Sequence, residues 1–316
     1  MDAATAILFP GQGSQRVGMG RSLYEASTAA REVFDEAEEV LGFPLARLCF
    51  EGPEGELQDT ANAQPALFTA SFAAWRALEA LHGPLHPGWA AGHSLGEYTA
   101  LAVAGCFPFA EGARLVRLRG LAMKAAGAEP PGGMAAILKL EDGAVEALCQ
   151  EAAGLTGGVV QVANYNCPGQ VVISGDRPTL ERAAQLARER GGRVIPLRVS
   201  VAAHSAYMKG AVEALREAVA SLEVQPPRIP VVGNVRARPL RTADEVRQEF
   251  LAQLTSPVRW TQTIRYLEAE GVSTYVEVGP GNVLAGLVRR IAPQAVVHNV
   301  GEWAEVQGWP GRGDSG

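Results

Sequence analysis

Two hydrophobic rhythms divide this chain. Short apolar runs bounded by Gly and Pro mark buried strands, and stripes at i, i+3 and i+4 mark amphipathic helices. The run at residues 6–9 predicts a first strand that ends in the loop Pro10-Gly11-Gln12-Gly13-Ser14-Gln15. Leu23, Ala26, Val33, Ala37 and Leu41 then share one stripe, which predicts one long helix over residues 22–41, stopped by Gly42. A second helix is expected over 65–81, a short strand over 89–91, and further helices over 97–104 and 110–126. Strand-turn-helix alternation of this kind indicates an α/β fold with a parallel sheet.

From residue 127 the rhythm changes. Strands are predicted at 134–140, 159–165, 170–174 and 193–199, with helices at 142–153 and 178–190 between them. The order β-α-β-β-α-β is that of a ferredoxin-like unit, entered through the joint Pro130-Pro131-Gly132-Gly133. Longer helices return at 205–222, 243–254 and 257–270, and strands at 273–278 and 295–299 are expected to rejoin the first sheet. The expected organisation is therefore a discontinuous large domain (1–126 and 201–300), an inserted small domain (127–200), and a loose tail (301–316). No internal repeat is present.

Composition narrows the function classes. A hydrophobic content of 47% with 20% charged residues fits a globular protein and not a disordered one. The net charge of −6, with no basic run standing out against it, argues against nucleic-acid binding. The four cysteines are scattered without a C-x-x-C pair, which predicts reduced thiols, no disulfide framework and no metal site. The N-terminus lacks the pattern of a secretory signal, and no apolar segment reaches the length of a membrane span. A cytoplasmic protein that uses no membrane is expected, and Arg312-Gly313-Asp314 is read there as coincidence.

Candidate chemistry begins at Gly92-His93-Ser94-Leu95-Gly96. G-x-S-x-G between a strand and a helix is the pattern of a nucleophile elbow, a tight turn that lifts a serine hydroxyl into a cleft. Lipases, thioesterases and acyltransferases share it. The serine needs a base, and there are five histidines. His93 is expected to point away and brace the turn, while His82 and His86 read as solvated. His204 stands where a strand meets a helix at the exit of the inserted domain, so it either faces the cleft or merely caps the turn. Arg119 shares a helix with Arg114, Arg117 and Lys124, which on its own reads as a solvated basic face. Gly279-Pro280-Gly281 fits no dinucleotide fingerprint and reads as a turn.

Several motifs in order carry a resemblance. Phe9 to Gln15, Gln64-Pro65-Ala66-Leu67, Gly92 to Tyr98, Arg119-Gly120, Asn164 to Gln170, the segment around His204, and Val278 to Gly281 together resemble the malonyl-CoA:acyl carrier protein transacylases of type II fatty-acid synthesis. The likeness spans residues 5–300 in register and implies an α/β-hydrolase-like large domain with the ferredoxin-like insertion. It implies a Ser94–His204 dyad, with backbone N–H groups of Gln12 and Leu95 as the oxyanion hole. It also implies that a main-chain carbonyl at Gln253 orients the histidine, and that Gln64 and Asn164 line the acyl pocket. Arg119 becomes the clamp for a malonyl carboxylate, and an acetyl group would leave that arginine partly unpaired. The implied substrates are malonyl-CoA and phosphopantetheinylated acyl carrier protein, handled by a monomer without metal or redox cofactor. Service to a polyketide synthase or a malonate decarboxylase, or hydrolysis by a serine thioesterase or esterase, are the alternatives. Ala202-Ala203 replaces the Pro-Ser or similar pair of many family members and leaves room for a branched acyl group.

Overall fold

The computed structural model describes residues 1–127, 132–197, 199 and 201–310. Pro130 and Pro131 of the expected joint, and Arg312-Gly313-Asp314, lie outside the described residues. The strands are β1 (Thr5–Phe9), β2 (Trp89–Gly92), β3 (Gly132–Leu138), β4 (Val160–Cys167) and β5 (Gln170–Asp176), followed by β6 (Arg193–Pro196), β7 (Val231–Val232), β8 (Pro239–Leu240), β9 (Thr274–Val278) and β10 (Val296–Val300). The main sheet runs β10-β9-β1-β2-β7-β8, parallel throughout except for the antiparallel β7–β8 edge pair. Alternation along β1 explains why this sheet is covered on both faces. Ile7 and Phe9 enter a core with Leu67, Phe68 and Val116. Ala6 and Leu8 enter another with Trp260, Ile264, Leu284 and Val288.

The second sheet runs β4-β5-β3-β6 and is wholly antiparallel, the ferredoxin-like strand order. Ile137, Val171 and Ile173 pack one face against helices Asp142–Thr156 and Arg177–Glu189. Met134, Ala136, Ala163 and Val172, on the other face, join the large core. β4 carries a register shift at Ala163. The carbonyl of that extra residue accepts from Val258 N–H at 2.8 Å, and Tyr165 N–H donates to Val258 O at 2.9 Å. Main-chain bonds thus tie β4 of the small sheet to the segment that leads into the helix Trp260–Ala269 of the large domain.

Three expected elements change. The long helix over 22–41 is two helices, Arg21–Ala26 and Thr28–Leu41, because Ser27 is extended and its hydroxyl caps the second by accepting from Ala30 N–H. The helix expected at 65–81 spans Thr60–His82, capped by Asp59, with Pro65 inside it. Proline offers no N–H to the carbonyl one turn back. Arg117 Nη1 donates to that Ala61 carbonyl instead, at 2.7 Å. Finally, the start of the expected loose tail holds the helix Trp303–Gln307, whose Val306 is fully buried. His82 is half-buried where a solvated side chain was expected, and its Nε2 donates to Val306 O at 2.7 Å, fastening this segment to the Thr60–His82 helix. Among the described residues no helix is long and apolar enough to cross a membrane.

Candidate active site

The strand ends β1 and β2 deliver the site. β2 leads directly into Ser94, which has φ 51° and ψ −105°, and the helix Leu95–Val103 starts at the next residue. This backbone region is costly for any side chain, so the surroundings must enforce it. The two glycines of the motif make the turn sterically feasible. A Cβ at Gly92 would collide with the Gly96 carbonyl group, and one at Gly96 with the Phe9 carbonyl oxygen. Leu95 opens its helix, so its N–H has no intrahelical acceptor. Gln12 and Gly13, from the loop after β1, line the cleft beside Ser94, together with His93, Asn164, Ala203 and His204; the cleft encloses ≈ 290 Å³.

His204 Nε2 lies 2.8 Å from Ser94 Oγ. On the other side of the ring, Nδ1 lies 2.9 Å from Gln253 O and 3.1 Å from Ser256 O. Both are acceptors only, so Nδ1 carries the proton and Nε2 presents its lone pair to the serine. Burial, and then the positive charge of Arg119, push the His204 pKa down to about 3. The ring is therefore neutral and poised to accept a proton. Among the described residues no carboxylate orients it. Ser256, whose carbonyl shares this task, was not anticipated; nothing in residue type marks a main-chain acceptor.

Arg119 sits on the buried stripe of the helix Phe109–Ala126, between Val116 and Met123, and is 1% exposed. Its Nη1 donates to Gln64 Oε1 at 2.7 Å. Its Nη2 donates to Gln253 Oε1 at 2.9 Å and to Ser94 Oγ at 3.1 Å. The guanidinium also lies over the Tyr98 ring at 5.2 Å. Every one of these partners is neutral, and Arg119 enters none of the ion pairs among the described residues. Its neighbours on the helix are otherwise employed: Arg114 pairs with Glu111, and Lys124 with Asp59.

One expectation about recognition needs correction. Gln64 is fully buried behind Arg119 and reaches the site through it; it does not line the cleft. Asn164 does line the cleft, with Nδ2 3.4 Å from His93 Nε2. The expected penalty for an acetyl group has a structural basis in the arginine itself. Arg119 Nη1 and Nη2 have acceptors, but the buried Nε has none, and no opposite charge pairs with the guanidinium among the described residues. Of the two alanines before His204, Ala203 faces the cleft, whereas the Ala202 methyl packs toward Gly132.

Behind the elbow lies a polar layer that sequence reasoning missed. Gln253 Nε2 donates to Ser94 O and to Glu97 Oε1, both at 2.9 Å. One residue thereby touches the serine, the arginine and, through its carbonyl, the histidine. Glu97 is fully buried, and burial together with nearby Glu249 drives its carboxyl well above the ordinary carboxylate range. Glu97 is thus held toward its neutral form and is a poor counter-ion for Arg119. His93 was expected to point away from the site, but its side chain lines the cleft; Nε2 lies 2.9 Å from Asn166 Oδ1 and the ring 5.5 Å from that of Trp260, contacts that brace the turn. At Gly279-Pro280-Gly281 the following helix start is filled by Glu277, which accepts from Leu284 and Ala285 N–H at 3.1 and 2.8 Å. That leaves a structural turn and no anion site.

A strained serine at a strand end, a neutral histidine and an inserted ferredoxin-like unit are the architecture of the acyl transferases. The family model described as "Acyl transferase domain" matches residues 7–306, and the chain belongs to that family. Its relatives carry a narrower name. The chain is 46% identical over 289 residues to the malonyl CoA-acyl carrier protein transacylase of Bacillus subtilis strain 168, covering 90% of each. It superposes on the crystal structure of an acyl carrier protein S-malonyltransferase from Vibrio cholerae with a TM-score of 0.93 at 43% identity, covering 96% of this chain and 99% of that one. The structure of a type II PKS acyl-carrier protein in complex with its malonyl-transacylase gives 0.92 at 41% identity, covering 96% and 97%. The chain is an acyltransferase.

Proposed function

We propose that this enzyme moves a malonyl group from malonyl-CoA to the phosphopantetheine thiol of acyl carrier protein by way of a malonyl ester on Ser94. Ser94 Oγ attacks the thioester carbonyl as His204 Nε2 takes its proton. The negative oxygen that develops is received by the N–H groups of Leu95 and Gln12, each such donor being worth about 3 kcal/mol of barrier. The carbon–sulfur bond then breaks and His204 returns the proton to the departing CoA thiolate. In the second half His204 takes the proton of the pantetheine thiol, the sulfur attacks the ester carbonyl, the carbon–oxygen bond to Ser94 breaks, and the proton returns to Ser94 Oγ. Atoms and charges balance with serine and histidine alone, so the sequence of steps calls for no redox or metal cofactor.

The observation that carries the malonyl assignment is the buried Arg119, 3.1 Å from Ser94 Oγ, with neutral partners only. A carboxylate on the acyl group supplies the missing charge through two parallel hydrogen bonds. The relatives' names support the same substrate and the same carrier. Intact-mass measurement after incubation with a panel of acyl-CoAs tests the reading. A malonyl adduct on Ser94 that persists until carrier protein is added is expected. Rapid release of free malonate without carrier protein would make the enzyme a hydrolase.

A further inference from the structure

The main-chain ladder between β2 and β7 is short. Ala90 pairs with Val231 and Ala91 with Val232, and there the two named strands part. Continued in the same register, Gly92 would stand opposite Gly233 and His93 opposite Asn234. In a parallel ladder, the residue opposite His93 donates its N–H to the carbonyl of residue 92 and accepts the N–H of residue 94. Asn234 makes both of these bonds with its side chain. Its Nδ2 donates to Gly92 O at 2.8 Å, and its Oδ1 accepts from Ser94 N–H at 2.7 Å.

The main chain of Asn234 is engaged elsewhere, which is why the side chain stands in for it. Its N–H donates to Glu97 Oε2 at 2.6 Å, and its carbonyl accepts from Arg259 N–H at 3.0 Å. The next N–H, that of Val235, donates to Glu249 Oε1 at 2.7 Å. Asn234 is fully buried. A primary amide has the donor and acceptor spacing of a peptide group, so it fits a vacant rung. Both of its polar ends face main-chain groups of fixed character, which sets the amide orientation.

We propose that the Asn234 side chain adds a rung to the β2–β7 ladder beyond its last main-chain pair and thereby holds Ser94 in its strained conformation, as a positioning residue for the nucleophile. On the opposite flank Phe9 O accepts from His93 N–H at 3.1 Å, so the elbow is gripped from both neighbouring strands. Without the amide, Ser94 N–H and Gly92 O lose their buried partners, and the turn is free to relax toward a cheaper backbone conformation. Ser94 Oγ then leaves both His204 Nε2 and the N–H of Leu95. The inference rests on the proposed function only in taking Ser94 as the nucleophile.

The test compares the full-length wild type with Asn234→Ala and Asn234→Asp. The probe is an arylsulfonyl fluoride, which reports on Ser94 without a malonyl group; transfer kinetics are measured alongside. Asn234→Ala is expected to slow Ser94 labelling and kcat by about tenfold to a hundredfold, with the KM for malonyl-CoA held within about twofold. Asn234→Asp keeps the acceptor for Ser94 N–H but regains the donor for Gly92 O only when its new carboxyl is protonated. Its activity relative to wild type is therefore expected to rise as pH falls. The charged and titratable groups around it include Glu97, Glu249, Arg236, Arg259, His93, Arg119 and His204, and all of them are present in the wild-type control.

Labelling of Asn234→Ala at the wild-type rate overturns the proposal. So does a pH-independent ratio for Asn234→Asp, because simple space-filling would give that result. Failure of both variants to fold also overturns it, by making the residue a support of the whole fold. A wild type that neither labels nor loads at Ser94 would remove the nucleophile reading itself, a distinct result.

Discussion

Ser94 and Arg119 are 3.1 Å apart, yet they are held by different chemistry. The elbow is mostly a construction of main chain: two glycines, a strained φ, and carbonyls that fix His204 from behind, with the Asn234 and Gln253 amides bonded to its main-chain groups. Arg119 is held by side chains from two other helices, Gln64 from Thr60–His82 and Gln253 from Ala243–Gln253. The first region is complete as it stands, with Nε2 facing Oγ and Nδ1 satisfied. The second is not: Arg119 Nε lacks a hydrogen-bond partner, and the guanidinium lacks an opposite charge among the described residues. The difference separates reaction from recognition. Geometry for acyl transfer is built in, and the acyl group that fits is the one that brings a negative charge.

The sharpest break of this comparison is Ser94→Ala. On the reading that one hydroxyl carries the transferred group, transfer falls by at least about 10³-fold and no acyl adduct forms. His204→Ala is expected to act on the same step with a loss of comparable size, and the double variant to cost little more than either single one. Steady-state transfer to carrier protein measures both losses. Additive losses would show that the two side chains do not act as one unit.

Arg119→Ala comes next in size and touches only the second region. Malonyl loading is expected to fall by about 10²-fold, because a charge-assisted bidentate pair is lost. Acetyl loading should change by less than about tenfold, since an acetyl group never used that charge. Competition between the two acyl-CoAs, read by intact mass, gives the ratio directly. Equal losses would place Arg119 among the supports of the elbow and erase the division argued above.

How much of this was readable beforehand follows the same division. A local spacing pattern carries the elbow, so Ser94 and Leu95 stood out along with both glycines. The ferredoxin-like order was also legible, because its strands and helices alternate cleanly from β3 (Gly132–Leu138) to β6 (Arg193–Pro196). Arg119 offered a signal that basic neighbours masked: it falls three residues after Val116 and four before Met123, on the apolar stripe of its helix. The break at Ser27 was hidden by a stripe that continues across it, although Ser-Thr is itself a capping signal. Asn234 and the side chain of Gln253 left no pattern. Their roles depend on where β7 ends relative to β2 and on which helix end meets the elbow, and these are facts of tertiary structure.

The smallest effect, and the most diagnostic of how the two regions communicate, is in pH dependence. His204 must be neutral to accept the Ser94 proton, so activity is lost as pH falls through its pKa in the folded protein. That pKa is lowered to about 3, by burial first and by Arg119 second. The acid limb of kcat/KM, which reports the free enzyme, is therefore expected well below the ordinary histidine value of 6.5. Binding a carboxylate to Arg119 offsets the second cause and leaves the first, so the His204 pKa rises in the complex. The limb of kcat should then lie at higher pH than that of kcat/KM. Arg119→Ala removes the same charge from the free enzyme and should move its kcat/KM limb upward, in the same direction. Profiles of transfer rate against pH for the two proteins, at saturating and at low malonyl-CoA, measure all of these limbs. Coincident limbs for kcat and kcat/KM in the wild type, or an unmoved limb in the variant, would mean that Arg119 and His204 do not sense each other's charge and that burial alone sets the base.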